Sequence, residues 1–327
     1  MKTLLHTVRA LAIVAPICAA GAASAVEPVA VAPTATAKSS PPERFDLLED
    51  GHLPRLSWRV GDDHVLTLDP GTDLYPRYLA DPRREKIGLE YMRAIHPKVP
   101  DSGGSRFNIS IGGQLPLLRL SPLDQPESGF QLDAHAGFFG QFDLEHSWDN
   151  VGWDGTYGIG VTFAPGGPVR FRLSTRHESS HLGDELMARE QDHGHPLERM
   201  NYTREDFSFG VAVSPADHLT LYAEPSWAYS MGNPDKQSRL AVQLGTQYER
   251  PDAFWDGRAG YYIGADAQFF QENNWSPGVT GQIGLELPIF RERRYRLFLE
   301  GHFGRSALGE FSQTKESYLS FGISFDL

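Results

Sequence analysis

Cysteine is almost missing from this 327-residue chain: the single one, Cys18, lies in the amino-terminal apolar stretch. With that stretch set aside, thiol catalysis, disulfide staples and Cys-zinc sites are excluded. A second lack is a long hydrophobic run. A spanning helix needs about 20 apolar residues, and the first candidate, Ala10 to Ala20, is interrupted by Pro16 and continues into small residues. Basic charge is also scarce, with 30 Lys and Arg against 42 Asp and Glu and a net charge of −12. This is the reverse of a phosphate-binding footprint, so nucleic acid is excluded as a partner. Glycine, in contrast, is abundant at 33 residues, while only 40% of the chain is hydrophobic. A soluble globular chain averages about 45–50% apolar, so the apolar residues here must act through their pattern.

The amino terminus has the layout of an export signal. Lys2 and Arg9 precede or flank an apolar stretch, and Ala23-Ser24-Ala25 supplies a small-residue cleavage site, which predicts a signal peptide over residues 1–25. Residues 26–43 are dominated by Pro, Ala, Thr and Ser and read as a disordered leader. Residues 44–85, with Leu53, Leu56, Trp58 and Val60, form a mixed segment with a short ordered element.

From Lys86 onward apolar and polar residues alternate, the period of a β-strand with two unlike faces. Twelve such segments can be marked, at 86–93, 106–118, 129–144, 153–163, 168–177, 201–213, 218–230, 238–249, 257–271, 276–289, 293–304 and 316–327. Their length matches the roughly 9–11 residues of a tilted strand crossing a bilayer. Short connections such as 164–167, 214–217 and 290–293 alternate with long ones such as 178–200 and 305–315, the arrangement of a membrane barrel. The last segment carries Leu319, Phe321, Ile323, Phe325 and Leu327 on one parity. The expectation is an all-β protein: a single antiparallel transmembrane β-barrel of about twelve strands over residues 86–327, with residues 44–85 at its periplasmic mouth. It would sit in the outer membrane of a Gram-negative cell, with outer-membrane lipids and the barrel assembly machinery as partners.

On the polar parity lie Asp133, Arg170, Arg172, Glu224, Asp266, Glu286, Arg296, Glu300 and His302, expected to brace an occluded interior. Tyr229, Trp275 and Tyr295, near segment ends, suit an interfacial aromatic belt.

The densest reactive cluster is Arg176-His177-Glu178-Ser179-Ser180-His181-Leu182-Gly183-Asp184-Glu185, which opens the longest loop. Continuing the parity of Val169, Phe171 and Leu173 puts His177, Ser179 and His181 on the lipid-facing side, and the next segment offers Asn201, Thr203 and Glu205 on the same parity. A serine hydroxyl needs an imidazole to take its proton and a third group to fix the imidazole. His177, Ser179 and Asn201 are the candidates for those catalytic roles.

These residues resemble the outer-membrane phospholipase A family, a twelve-stranded barrel with a His-x-Ser pair and an Asn from the neighbouring strand on its outer surface. They are also similar to outer-membrane lipid A deacylases, which use His-x-Ser as well. The sequence departs from both by continuing Ser180-His181 in place of Ser-Asn-Gly, and by a longer interval to Asn201. The stretches Leu79-Ala80-Asp81-Pro82, Ser180 to Glu185 and Asn201-Tyr202 further resemble an uncharacterised bacterial outer-membrane family, a domain of unknown function, over residues 74–327. That resemblance carries no activity.

Other readings of the cluster stay open. His177-Glu178-x-x-His181 has the spacing of a zinc protease motif, which requires a helix. His181, Asp184 and Glu185, with Glu190, Asp192, His193 and His195 nearby, are candidate ligands for Ca²⁺ or Zn²⁺. The whole cluster also fits a rim loop of a non-enzymatic barrel, either a narrow channel or an envelope scaffold.

Overall fold

Alternation becomes a closed wall in the computed structural model, which describes residues 56–326 apart from 97, 98, 100, 101, 195, 291 and 292. The expected signal, the leader and the start of the 44–85 segment lie outside the described residues. Two short strands come first, β1 (Leu56–Val60) and β2 (His64–Leu68). They are followed by β3 (Ile87–His96), β4 (Ser105–Pro122), β5 (Gly129–Asp143), β6 (Asp149–Ala164), β7 (Val169–Leu182), helix α1 (Asp184–Asp192), β8 (Thr203–Ala216), β9 (Leu219–Met231), β10 (Leu240–Phe254), β11 (Ala259–Phe270), β12 (Gly278–Phe290), β13 (Arg293–Arg305) and β14 (Lys315–Phe325). Each of β3 to β14 pairs antiparallel with its sequence neighbour, and β14 closes the ring on β3 with Phe325 opposite Ile87 and Leu319 opposite Arg93. All twelve expected segments are therefore strands of one closed barrel. Closure removes the open edges that a sheet could not leave unpaired in hydrocarbon.

The two parities separate as the alternation requires. Ile159, Leu173, Ile283, Leu299 and Leu319 are exposed on the outside, while Asp133, Asp266, Glu286, Arg296, Glu300 and His302 are buried inside. Tyr229, Trp275 and Tyr295 lie exposed near the strand ends. Arg172 reaches Glu224 at 3.0 Å inside. Arg170 does not join that network, because it lies beside the β6–β7 turn and donates to the carbonyls of Gly167 and Val169.

The 44–85 segment divides in two. Hairpin β1–β2 continues the sheet at the short-turn end, where β2 pairs with the last residues of β4, Leu66 opposite Leu120. The following residues then run inside the barrel instead of remaining at its mouth. Tyr75, Tyr78, Leu79, Asp81, Arg84 and Lys86 are buried. Tyr78 stacks on Tyr222 at 3.8 Å and donates to Glu224 at 2.8 Å, while Arg172 sits 4.5 Å over the Tyr75 ring. Arg83 meets Asp154 at 2.6 Å, and Arg84 pairs with Asp326 at the end of the chain. Buried charges are tolerated only when paired, and this plug supplies partners to wall residues that would otherwise face one another across a void.

The opposite, long-loop end is capped by apolar side chains. Asp184 and Glu185 in the first turn of α1 and Arg189 in the last suit the helix dipole. The helix buries Leu186 against Val151, Leu182, Leu308 and Phe311. No described helix is long and apolar enough to cross a membrane.

Candidate active site on the outward face

Strand β7 keeps its alternation to Leu182, five residues past His177, so Arg176 to Leu182 of the cluster belong to the wall, while Gly183 to Glu185 open the connection through α1. Register fixes its neighbours: Tyr157 of β6 and Glu205 of β8 flank His177, and Gly155 and Thr203 flank Ser179. His177 Nδ1 lies 2.6 Å from Glu205 Oε1, and the imidazole stacks on Tyr157 with centroids 4.5 Å apart. The Nδ1–H donates to the carboxylate, and in the neutral ring this leaves Nε2 as the basic nitrogen. Tyr229 donates to the other Glu205 oxygen at 3.4 Å. Both members of the pair are partly covered, with 18% and 29% of their side-chain surfaces exposed. This places a carboxylate on the lipid-facing side only at the level of the aromatic residues, where charge costs least.

The structure thus brings His177 and Ser179 to one face of one strand, as the spacing implies. It does not bring Asn201 to the imidazole. Among the described residues neither Ser179 nor Asn201 shares a hydrogen bond with His177, whose partner is Glu205. Asn201 sits in the left-handed region at φ 53°, a conformation Asn tolerates better than most residues. The Glu310 carboxylate accepts from Met200 N–H at 2.7 Å and Tyr202 N–H at 3.0 Å, clamping that turn from both sides.

Glu205 carries no distinguishing signal in the sequence. It shares the parity of Asn201 and Thr203, and only the strand register, which sets it opposite His177, singles it out.

The protease spacing fails on geometry. His177 and His181 are four residues apart on a strand, roughly 13 Å at about 3.3 Å per residue, and Glu178 points the other way. His181 stacks on Trp153 at 4.1 Å, while Asp184 and Glu185 are exposed at the start of α1. Among the described residues no three His, Cys, Asp or Glu side chains converge to hold a metal ion. His195 lies outside the described residues. Elsewhere on this rim, Lys236 donates to Glu198 at 2.9 Å and holds that exposed carboxyl below its usual range.

A closed antiparallel barrel with an apolar outward belt and a filled, charged interior defines the class: an outer-membrane-type β-barrel. Within that class the chain belongs to the family described as "Protein of unknown function (DUF1207)", matched over residues 23–327. Among solved structures it is similar in fold to outer membrane phospholipase A from Escherichia coli, with a TM-score of 0.52 and 12% identity over 74% of this chain and 93% of that one. It is likewise similar to the Salmonella typhi outer membrane phospholipase dimer with bound calcium, with a TM-score of 0.54 and 12% identity over 77% of this chain and 95% of that one. No curated protein matches the chain.

Proposed function

We propose that the chain is an outer-membrane ester hydrolase acting on membrane lipids of a Gram-negative cell, with Ser179 as nucleophile, His177 as general base and Glu205 as the group that orients the imidazole. The observation that carries this reading is the His177–Glu205 hydrogen bond, made on the outward face two residues from Ser179. A carboxylate on a lipid-facing position needs a reason, and fixing the tautomer of a base is a chemical one.

In the proposed reaction Ser179 Oγ attacks the acyl carbonyl as its proton passes to His177 Nε2, and the tetrahedral adduct collapses as the imidazolium returns that proton to the departing alcohol. Water, activated by the same nitrogen, then releases the fatty acid from Ser179. The outward placement lets the acyl chains stay in the bilayer while the ester meets the residues at the interface. Insertion by the barrel assembly machinery belongs to this reading. A channel is the poorer account, because residues 73–86 and the apolar cap occupy the lumen from its two ends.

The test is fatty-acid release from phospholipid vesicles and from lipid A, with and without calcium. Wild type should hydrolyse at least one of them, and Ser179→Ala and His177→Ala should each lower turnover about 10³-fold or more, as groups acting as a unit do. Wild-type release by Ser179→Ala would overturn the assignment.

A further inference from the structure

Resting on that reading, we infer that Gly155 forms the floor of an acyl-chain subsite on the barrel's outer wall, and that the substrate is an ester of an unbranched acyl chain lying across the strands toward Phe138. Two stacked pairs stand on this face. Trp153 with His181 is one, centroids 4.1 Å apart, and Tyr157 with His177 is the other, at 4.5 Å. Both pairs bridge β6 and β7, and between them the outward positions are Gly155 and Ser179. Trp153 and Tyr157 are four residues apart, roughly 13 Å along the strand. Within each pair the rings turn their faces to one another across β6 and β7, so along the strand it is ring edges that bound the slot over Gly155 and Ser179.

Nothing local demands a glycine at the floor. Gly155 is not among the positive-φ glycines. An added Cβ would meet only Ser179 Oγ at 3.6 Å and Trp153 at 3.7 Å, ordinary contacts. Gly158 on the same strand is different, because a Cβ there would lie 1.9 Å from the Thr175 carbonyl oxygen. What the missing side chain at 155 does is keep the space beside the Ser179 hydroxyl open.

The two ends of the slot differ in polarity. On the β5 side Phe138 pairs in register with Gly155 and its ring packs on Trp153 at 5.5 Å. On the β8 side the neighbour of Ser179 is Thr203, with Glu205 beyond. The acyl chain therefore leaves toward Phe138 and the alcohol toward Thr203.

The test uses the full-length protein in phosphatidylcholine vesicles carrying a diazirine near the end of one acyl chain. After irradiation, adducts are mapped by mass spectrometry in Ser179→Ala, which should retain bound lipid. Adducts should concentrate on residues 138 and 153–157 at least five-fold above lipid-facing strand residues on the far wall, such as 283–287. Gly155→Leu should remove the enrichment and Gly155→Ala, which the wall accommodates, should reduce it, with heat-modifiable migration unchanged in both. Even labelling around the belt, or enrichment that survives Gly155→Leu, would overturn the subsite whatever the hydrolysis assay gives. Enrichment without any Ser179-dependent hydrolysis would keep the subsite and remove the esterase.

Discussion

His177 on β7 donates its Nδ1–H to Glu205 on β8 across 2.6 Å, on the side of the barrel that faces away from the lumen. Everywhere else on this wall the outward positions are mainly apolar, and the proposed hydrolase gives this imidazole–carboxylate pair its role. If Glu205 positions the base, Glu205→Ala should lower kcat about 10²-fold or more with little change in KM, within the range that general-base catalysis contributes. Glu205→Asp should recover part of the loss. Steady-state kinetics on a water-soluble ester makes the comparison. A rise in KM at constant kcat would instead give Glu205 a role in substrate binding.

Asn201 should behave as a turn residue. Its φ of 53° favours Asn or Gly, and Glu310 fixes the two neighbouring amides. Asn201→Gly should leave thermal unfolding nearly unchanged, whereas Asn201→Val should cost about 1–3 kcal/mol through backbone strain. Denaturation followed by the heat-modifiable band measures this. A loss of turnover in fully folded Asn201→Gly would restore Asn201 to the catalytic set.

The interior should carry no current. Tyr78 stacks on Tyr222 and holds Glu224, so the plug is part of the wall's packing. Wild type in planar bilayers should give no steady conductance, and Tyr78→Ala should lose about 3–5 kcal/mol, the usual cost of truncating a buried aromatic. Stable wild-type conductance would contradict the filled lumen.

Asp326 ties the plug to the last strand. Its carboxylate pairs with Arg84 and Arg296, both buried. Asp326→Asn would leave the Arg84 guanidinium without its carboxylate partner, while Arg296 keeps Glu286 at 3.4 Å, and should cost about 3–5 kcal/mol. Replacing Asp326 with no change in unfolding would show that the pair contributes nothing net.

Strand periodicity made the wall legible because lipid and lumen impose opposite chemistry on alternate residues of every strand. Val169, Phe171 and Leu173 against Arg170, Arg172 and Ser174 suffice to assign the faces of β7. The plug had no such signal. Tyr75, Tyr78 and Asp81 follow no period, and their burial depends on Arg172, Glu224 and Gln243, up to 162 residues away. At the site, the parity of His177 and Ser179 could be read from spacing alone. The choice between Asn201 and Glu205 depended on the offset between β7 and β8, which a loop of this length does not specify. The positive φ of Asn201, held by a glutamate 110 residues away from Met200, was equally invisible.

The most direct measurement is covalent labelling of the folded barrel with a fluorophosphonate bearing a long alkyl chain, followed by peptide mass spectrometry. A single phosphonylated serine, Ser179, is expected, with labelling lost in His177→Ala and slowed in Glu205→Ala. No adduct on the folded wild type, or an adduct on another serine that persists in His177→Ala, would contradict the proposed hydrolase.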